Sequence, residues 1–288
     1  SKIRISRTFN DKQNTPISTD LIINFMPIER IKEAIRDTGT QDDSLRSLIS
    51  ELDHFEIARR FHELNVEQKV KVFHLLENDE KRQELLYETD MDSRLEIQEN
   101  LDRDYLAALL DEMPEDEATD IIQELPDEAQ EELLSKMESQ DADIIKDLIR
   151  YEEETAGGLM TPHFNKILSN NKAGDIFTSV RRDPNKEITS YFYVVDDNDK
   201  LVGYFKLRDL MNIQTSALAT EFIRPSTPKV CLSDPCEKVA NIMGQEHLSS
   251  LPVVDDKNVI QGVITFDDVL RTMQDSASED IYTMVGTA

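Results

Sequence analysis

Tryptophan is absent from the 288 residues, cysteine occurs twice and glycine only eight times. Basic residues are scarce as well: 32 Lys and Arg stand against 59 Asp and Glu, a net charge of −27. Each shortage excludes something. Two cysteines, Cys231 and Cys236, cannot staple a disulfide framework, and a lone pair at this spacing is at most half of a zinc site. The histidines, His54, His62, His74, His163 and His247, show no HxxxH spacing and no clustering with cysteine, so all are read as packing or surface residues. The deficit of Lys and Arg argues against a nucleic-acid partner and against docking on an anionic lipid surface. It favours a cationic partner, a metal ion included. No apolar run approaches the about 20 residues of a membrane span, and residues 1–10 lack the apolar core of a signal peptide. The chain is therefore expected to be soluble, reducing and intracellular. Enzyme signatures are missing too: no GxGxxG, no Gly-Lys dipeptide for a phosphate loop, no GxSxG and no HExxH. A binding module, not an enzyme, is the expectation.

The charge is unevenly spread. Residues 42–154 hold 36 acidic and 12 basic side chains, net −24, and no glycine. Such a composition shift marks a domain boundary. Inside this segment the apolar spacing is helical, as in Leu45, Leu48, Ile49, Leu52, Phe55 and Phe61. Pro114 is followed by Ile121, Ile122 and Leu125, and Pro126 by Leu133, Leu134 and Met137 at the same offsets. That predicts short helices on a twelve-residue period, each opened by a proline near its first turn. Glu115, Asp116, Glu117, Asp127 and Glu128 crowd the first turns, where the helix dipole favours them. Short helices must stack to bury a face, so a helical superhelix is expected. Residues 1–41 read as an N-terminal extension or first helix, with one amphipathic stretch at 21–35.

After residue 154 the pattern changes. The apolar run Tyr191–Val195 ends in Asp196-Asp197, residues 200–207 form a second run around Gly203, and 208–213 begin a helix. The same events recur in 251–254, Asp255-Asp256, Gly262, 263–266 and a helix from Asp267. Val194 maps to Val253, Asp196 to Asp255, Gly203 to Gly262 and Asp209 to Asp268, each 59 residues apart; upstream, Pro162 maps to Pro225 at an offset of 63. Two tandem β-β-α units, each preceded by an extended segment and a helix, make an α+β pair. Gly157-Gly158 is too short to cradle phosphate and reads as a helix stop before an extended segment.

The repeat resembles a tandem pair of CBS domains. The second copy carries Gly262-Val263-Ile264-Thr265-Phe266-Asp267-Asp268, similar to that domain's closing strand and Ser/Thr-x-x-Asp; the first has Lys206 in place of the Ser/Thr, with Arg208 and Asp209 following. In CBS domains such an Asp often holds an adenosine ribose, so the resemblance implies ATP at Arg208, Asp209, Thr265 and Asp268. Capping of the next helix by Thr265 and Asp268 is an equal alternative. A second resemblance is more specific. Tyr151-Glu152-Glu153-Glu154-Thr155-Ala156-Gly157-Gly158-Leu159-Met160-Thr161-Pro162 looks like the junction between the N domain and CBS pair of the MgtE magnesium transporter family. Ser278-Glu279-Asp280-Ile281 resembles its passage into a connecting helix. The expected layout is α+β and multidomain: an extension at 1–41, an acidic all-α superhelical N domain at 42–154, a tandem CBS (β-α-β-β-α) pair at 155–275 (155–213 and 220–275), and the start of a connecting helix at 276–288.

The resemblance implies a Mg²⁺-sensing regulatory region at the cytoplasmic face of the cell membrane. It would form a homodimer through its CBS domains and serve its own transmembrane pore, absent from this chain. Mg²⁺ between acidic N-domain and CBS surfaces would close that pore when intracellular Mg²⁺ is high. The carboxylates matching family positions are Asp116, Asp120, Asp268, Asp234, Glu237, Glu279 and Asp280. Arg271, Ser276 and His247 stand where the family pattern is acidic, which puts one or more family sites in doubt. The physics agrees with the charge. Mg²⁺ takes oxygen ligands, keeps several waters and needs only one or two carboxylates per site. A site of about 1 mM dissociation constant at about 10 mM ion contributes roughly 1.4 kcal/mol, whereas a full two-state switch needs roughly 5.5, hence about four sites. Two other functions remain open: an adenine-nucleotide-sensing CBS module, and an acidic helical scaffold for a basic protein partner.

Overall fold

The computed structural model describes residues 27–36, 42–52, 54–182 and 190–274. The chain divides into two compact units, Ser1–Met113 with Ile121–Glu138, and Pro114–Asp120 with Ser139–Ala288.

Up to residue 148 the described residues form ten α-helices: α1 (Pro27–Arg36), α2 (Asp42–Ser50), α3 (His54–Arg59), α4 (Val66–Leu75), α5 (Asp79–Glu88), α6 (Met91–Asn100), α7 (Arg103–Asp111), α8 (Glu115–Gln123), α9 (Asp127–Lys136) and α10 (Ser139–Leu148). From α5 onward a helix begins every twelve residues, at 79, 91, 103, 115, 127 and 139. The period thus extends well upstream of the two prolines that reveal it. There the proline is replaced by Asn78, Asp90 and Asp102, whose side chains accept from Lys81 N (2.9 Å), Ser93 N (2.9 Å) and Asp104 N (3.0 Å). Buried positions keep the same beat: Leu85-Leu86, Ile97-Gln98, Leu109-Leu110, Ile121-Ile122 and Leu133-Leu134 within helices, and Thr89, Leu101, Met113, Leu125 and Met137 at the turns. In the first unit four pairs of helices pack two places apart along the run: α3 on α5, α4 on α6, α5 on α7 and α7 on α9. That is the superhelix the short helices require.

A second device closes helix C-termini, whose last carbonyls lack intrahelical donors. Arg82 donates to Phe73 O (3.3 Å), His74 O (3.4 Å) and Leu76 O (2.8 Å). Arg94 does the same one period later, at Leu86 O (2.7 Å), Tyr87 O (2.9 Å) and Thr89 O (2.7 Å). Gln130 serves Gln123 O (3.3 Å) and Leu125 O (2.7 Å).

Gln98 breaks the pattern. It stands where the repeat otherwise has leucine or isoleucine, is fully buried, and neither of its amide atoms finds a hydrogen-bond partner among the described residues. Gln98→Leu is expected to stabilise the protein by about 1–3 kcal/mol, read as a higher urea midpoint at unchanged slope. A lower midpoint would show that the amide is satisfied.

The second unit contains the repeat. Its first copy is β1 (Lys166–Leu168), α11 (Ala173–Arg182), β2 (Tyr191–Val195) and β3 (Leu201–Lys206); its second is β4 (Val230–Cys231), α12 (Cys236–Glu246), β5 (Ser250–Val254) and β6 (Ile260–Thr265). Each copy is a three-stranded sheet, β1-β2-β3 or β4-β5-β6, with the first pair parallel and the second antiparallel. The offset of 59 holds in the register: Val194 opposes Gly203 as Val253 opposes Gly262, and the slip after Val194 recurs after Val253. The middle strands are buried along their whole length, as their unbroken apolar runs demand. In the first copy the expected helix after β3 is a 3₁₀ helix, Leu207–Asn212, opened by the Asp209 carboxylate on Lys206 N (3.0 Å). In the second copy residues 266–274 are α-helical.

The two copies are latched at their hairpins. Asp196 Oδ1 accepts from Asn198 N (2.8 Å) and Lys200 N (3.0 Å), and Asp255 Oδ1 from Lys257 N (2.9 Å) and Val259 N (2.8 Å). Asp199 and Asn258 then take left-handed φ of 58° and 65°. Each offers its carbonyl to the other copy: Leu201 N donates to Asn258 O (2.9 Å), and Ile260 N to Asp199 O (3.2 Å).

The junction at 151–162 is a strap laid on the second copy. Ala156 N donates to Asp234 O (2.7 Å), Gly157 N to Leu232 O (2.8 Å), and Thr161 and Val263 exchange both backbone bonds (2.8 and 3.0 Å). The helix-stop reading of Gly157-Gly158 is corrected here. The preceding helix ends at Leu148, and no described glycine has positive φ. What these glycines supply is close approach: an added Cβ would lie 2.7 Å from the Tyr151 ring at Gly157 and 2.4 Å from Glu152 O at Gly158.

Candidate functional site

The second unit brings together carboxylates that the sequence keeps far apart. Asp116, in the first turn of α8, and Asp268, in the helix after β6, are close enough that the Asp268 charge acts on Asp116. Both are half-buried. The Thr161 side chain lies near enough to Asp116 to lower its carboxyl, and the Thr265 hydroxyl donates to Asp268 Oδ2 at 2.5 Å. Asp116 Oδ1 is enclosed and has no hydrogen-bond partner among the described residues.

Burial and, next, the Asp268 charge push the Asp116 carboxyl up to about 6, against the opposing pull of its own N–H and Thr161. Asp268 is also raised, chiefly by burial, with Thr265 and Arg271 pulling it down and Asp267 pushing it up. Beside the pair, Glu115 is buried (8% exposed), and its Oε1 lies 2.6 Å from His163 Nε2.

The other expected residues lie elsewhere. Asp120, one turn beyond Asp116, is half-buried. Asp234 is engaged: it accepts from Cys231 N (2.8 Å) and pairs with Lys238 (2.7 Å). Burial raises its carboxyl, but Lys238 and Cys231 N outweigh that and leave it below the ordinary value. Glu237 is exposed and lines a cavity of about 110 Å³ with Glu154, Cys236 and Met273. Asp209 is occupied by Lys206 N and by Arg224 (3.3 Å), with the exposed Arg208 guanidinium 3.9 Å away. His247 caps α12 in a left-handed conformation, φ 52°. Glu279, Asp280 and Ser276 lie outside the described residues. The sequence reading overlooked Glu115, Thr161 and His163 as members of the site.

Among the described residues no three His, Cys, Asp or Glu side chains form a group that could hold a metal. A cage for Zn²⁺ or Ca²⁺ is thus not present there. Two acidic side chains with one enclosed, unpartnered oxygen fit a cation that brings most of its ligands as water, as Mg²⁺ does. Also among the described residues, no helix is long and apolar enough to cross a membrane.

Comparison with known proteins decides the family. Residues 52–154 match the MgtE intracellular N domain, and residues 156–216 and 219–275 match the CBS domain. The chain belongs to the MgtE family. It is 35% identical over 139 residues to the magnesium transporter MgtE of Thermus thermophilus, covering 48% of this chain and 31% of that protein. It is 31% identical over 149 residues to the magnesium transporter MgtE of Enterococcus faecalis, covering 51% and 33%. The chain thus spans about a third of the length of the curated MgtE relatives it matches. Among solved structures, the cytosolic domain of the Mg²⁺ channel MgtE in complex with ATP is similar to it with a TM-score of 0.76 at 28% identity. That likeness covers 84% of this chain and 98% of the other. The α+β layout, a helical region followed by a CBS pair, is the layout of that MgtE domain.

Proposed function

We propose that this chain is the Mg²⁺-sensing cytosolic region of a dimeric Mg²⁺ transporter or channel. In this reading residues 42–154 are the acidic N domain, 155–275 the CBS pair, and 276–288 lead towards a pore domain at the cell membrane. When intracellular Mg²⁺ is high, ions held between acidic N-domain and CBS surfaces close the pore. The observation that carries the reading is the Asp116–Asp268 pair, with its enclosed oxygen and a carboxyl displaced to about 6. Asp116 and Asp268 would hold the ion, with Thr161 and Thr265 fixing their carboxylates. Bound Mg²⁺ supplies the positive charge that the pair lacks. Asp120, Asp234, Glu237, Glu279 and Asp280 are the further candidates, Asp234 after release from Lys238. Phe266, Leu270 and Met273, all more than a third exposed at helical spacing, are an apolar stripe suited to a dimer contact between CBS domains.

The experiment is small-angle scattering and thermal melting of the 288-residue chain in chelator and in MgCl₂. Millimolar Mg²⁺ is expected to compact the chain and raise its melting temperature, and Asp116→Asn with Asp268→Asn to abolish much of both. Identical scattering and melting in chelator and in abundant Mg²⁺ would remove the sensor reading.

A second reading coexists with the first. The solved relative in complex with ATP supports nucleotide binding, and in this reading Arg208, Asp209, Thr265 and Asp268 of the CBS pair would hold the nucleotide. Here Asp209 would have to exchange Arg224 for a ribose hydroxyl. Stabilisation by micromolar ATP without metal supports this reading. A response to ATP that Asp209→Ala leaves unchanged counts against Asp209.

A further inference from the structure

His163 has no role in the sequence reading, and most of its side chain, 68%, is exposed. Its position is nevertheless fixed on both sides. Thr161, two residues before, is bonded to β6 through both backbone bonds with Val263, and Gly262 opposite leaves only 2.6 Å between an added Cβ and Thr161 O. Phe164, one residue after, packs edge-on against the buried Tyr193 at 6.2 Å. This short segment faces the start of α8. Thr161 lies beside Asp116, and His163 holds Glu115 at 2.6 Å. An ionised carboxylate can only accept, so Nε2 carries the hydrogen.

We propose that His163 is a positioning residue of the Asp116–Asp268 site: by holding the buried Glu115 carboxylate it fixes the first turn of α8, and with it Asp116. The proposal rests on reading that pair as a Mg²⁺ site. The physical reason is local crowding. The charges of Glu115 and Asp268 both act on Asp116, and Glu115 is nearly enclosed. Glu115 also anchors the next turn, because the Thr119 hydroxyl donates to Glu115 O at 2.6 Å. Without the imidazole, an enclosed carboxylate loses its donor and must move or draw a donor from the turn. Either response displaces Asp116, its immediate neighbour. His163 would thus act on the cation without touching it, as outer-shell partners of metal ligands do.

The test is a MgCl₂ titration of the 288-residue chain, followed by melting temperature, for wild type, His163→Ala, His163→Gln, Glu115→Gln and Asp116→Asn. His163→Ala is expected to raise the Mg²⁺ midpoint about tenfold. Because the enclosed Glu115 loses its donor, the variant's melting temperature in chelator should fall by roughly 2–8 °C, so each Mg²⁺ midpoint is read against that variant's own chelator baseline. His163→Gln keeps an N–H donor and should recover most of the loss. Glu115→Gln keeps the acceptor and should titrate like wild type. An unchanged midpoint in His163→Ala overturns the proposal, as does a shift that His163→Gln fails to reverse. A Glu115→Gln midpoint displaced as far as that of Asp116→Asn makes Glu115 a ligand and also overturns it. If wild type itself ignores MgCl₂, the Mg²⁺ reading of the pair fails and takes this proposal with it. A wild-type response that Asp116→Asn removes and His163→Ala leaves intact sinks the proposal alone.

Discussion

Arg94→Ala should destabilise the first unit by about 3–5 kcal/mol, the scale of breaking a buried ion pair from one side. Arg94 donates to the last carbonyls of α5 at Leu86, Tyr87 and Thr89, and also pairs with Glu124. The two side chains are 11% and 14% exposed, so water cannot take over cheaply. Removing the guanidinium takes a donor from three carbonyl oxygens and an ion-pair partner from Glu124 at once. Arg94→Lys keeps the charge but loses the planar fork that serves several acceptors, and should recover no more than about half of the loss. Urea unfolding followed by circular dichroism reads both. A loss below about 1 kcal/mol for Arg94→Ala would mean that the capping bonds exchange freely with water.

Asp116→Asn is expected to do the opposite in the absence of metal. The Asp116 carboxyl lies at about 6 in the folded chain against an ordinary 3.8. A raised acid favours folding only while it keeps its proton. That contribution is complete below pH about 4 and is lost as pH climbs through 6, up to about 3 kcal/mol in all. Asn carries no charge, so in chelator the variant should melt about 3–8 °C above wild type at pH 7.5 and level with it near pH 4. In Mg²⁺ the order should reverse, since only the carboxylate gains from the ion. Protons and Mg²⁺ then compete, and the wild-type Mg²⁺ midpoint should rise as pH falls below about 6. Equal melting of the two chains in chelator at pH 7.5 would show that Asp116 pays no penalty for its charge.

Much of the fold is legible in the sequence where chemistry leaves a single residue type. Gly203 and Gly262 mark the repeat because neighbouring groups come within 2.9 and 2.6 Å of where a Cβ would stand. Pro114 and Pro126 mark the helical period for a similar reason: few other places tolerate them. Asn78, Asp90 and Asp102 do the same work upstream, but such residues are common and leave no mark. The site was legible only in part. Asp116 and Asp268 were reached through the family resemblance, not from any spacing between them. The contact of His163 with Glu115 joins residues 48 apart and leaves no periodic trace. Acidic residues in a first turn look like dipole partners whether or not they also line a site. Asp234 was legible as an acid, while its engagement by Lys238 one turn later turns on rotamers that sequence does not fix.

The i-to-i+2 stacking of the helical run has a mechanical consequence. A structure whose layers touch only near neighbours behaves like a coiled spring, with small rotations at each step adding along its length. Hydrogen exchange should accordingly run as a gradient along the coil, slowest in its middle helices.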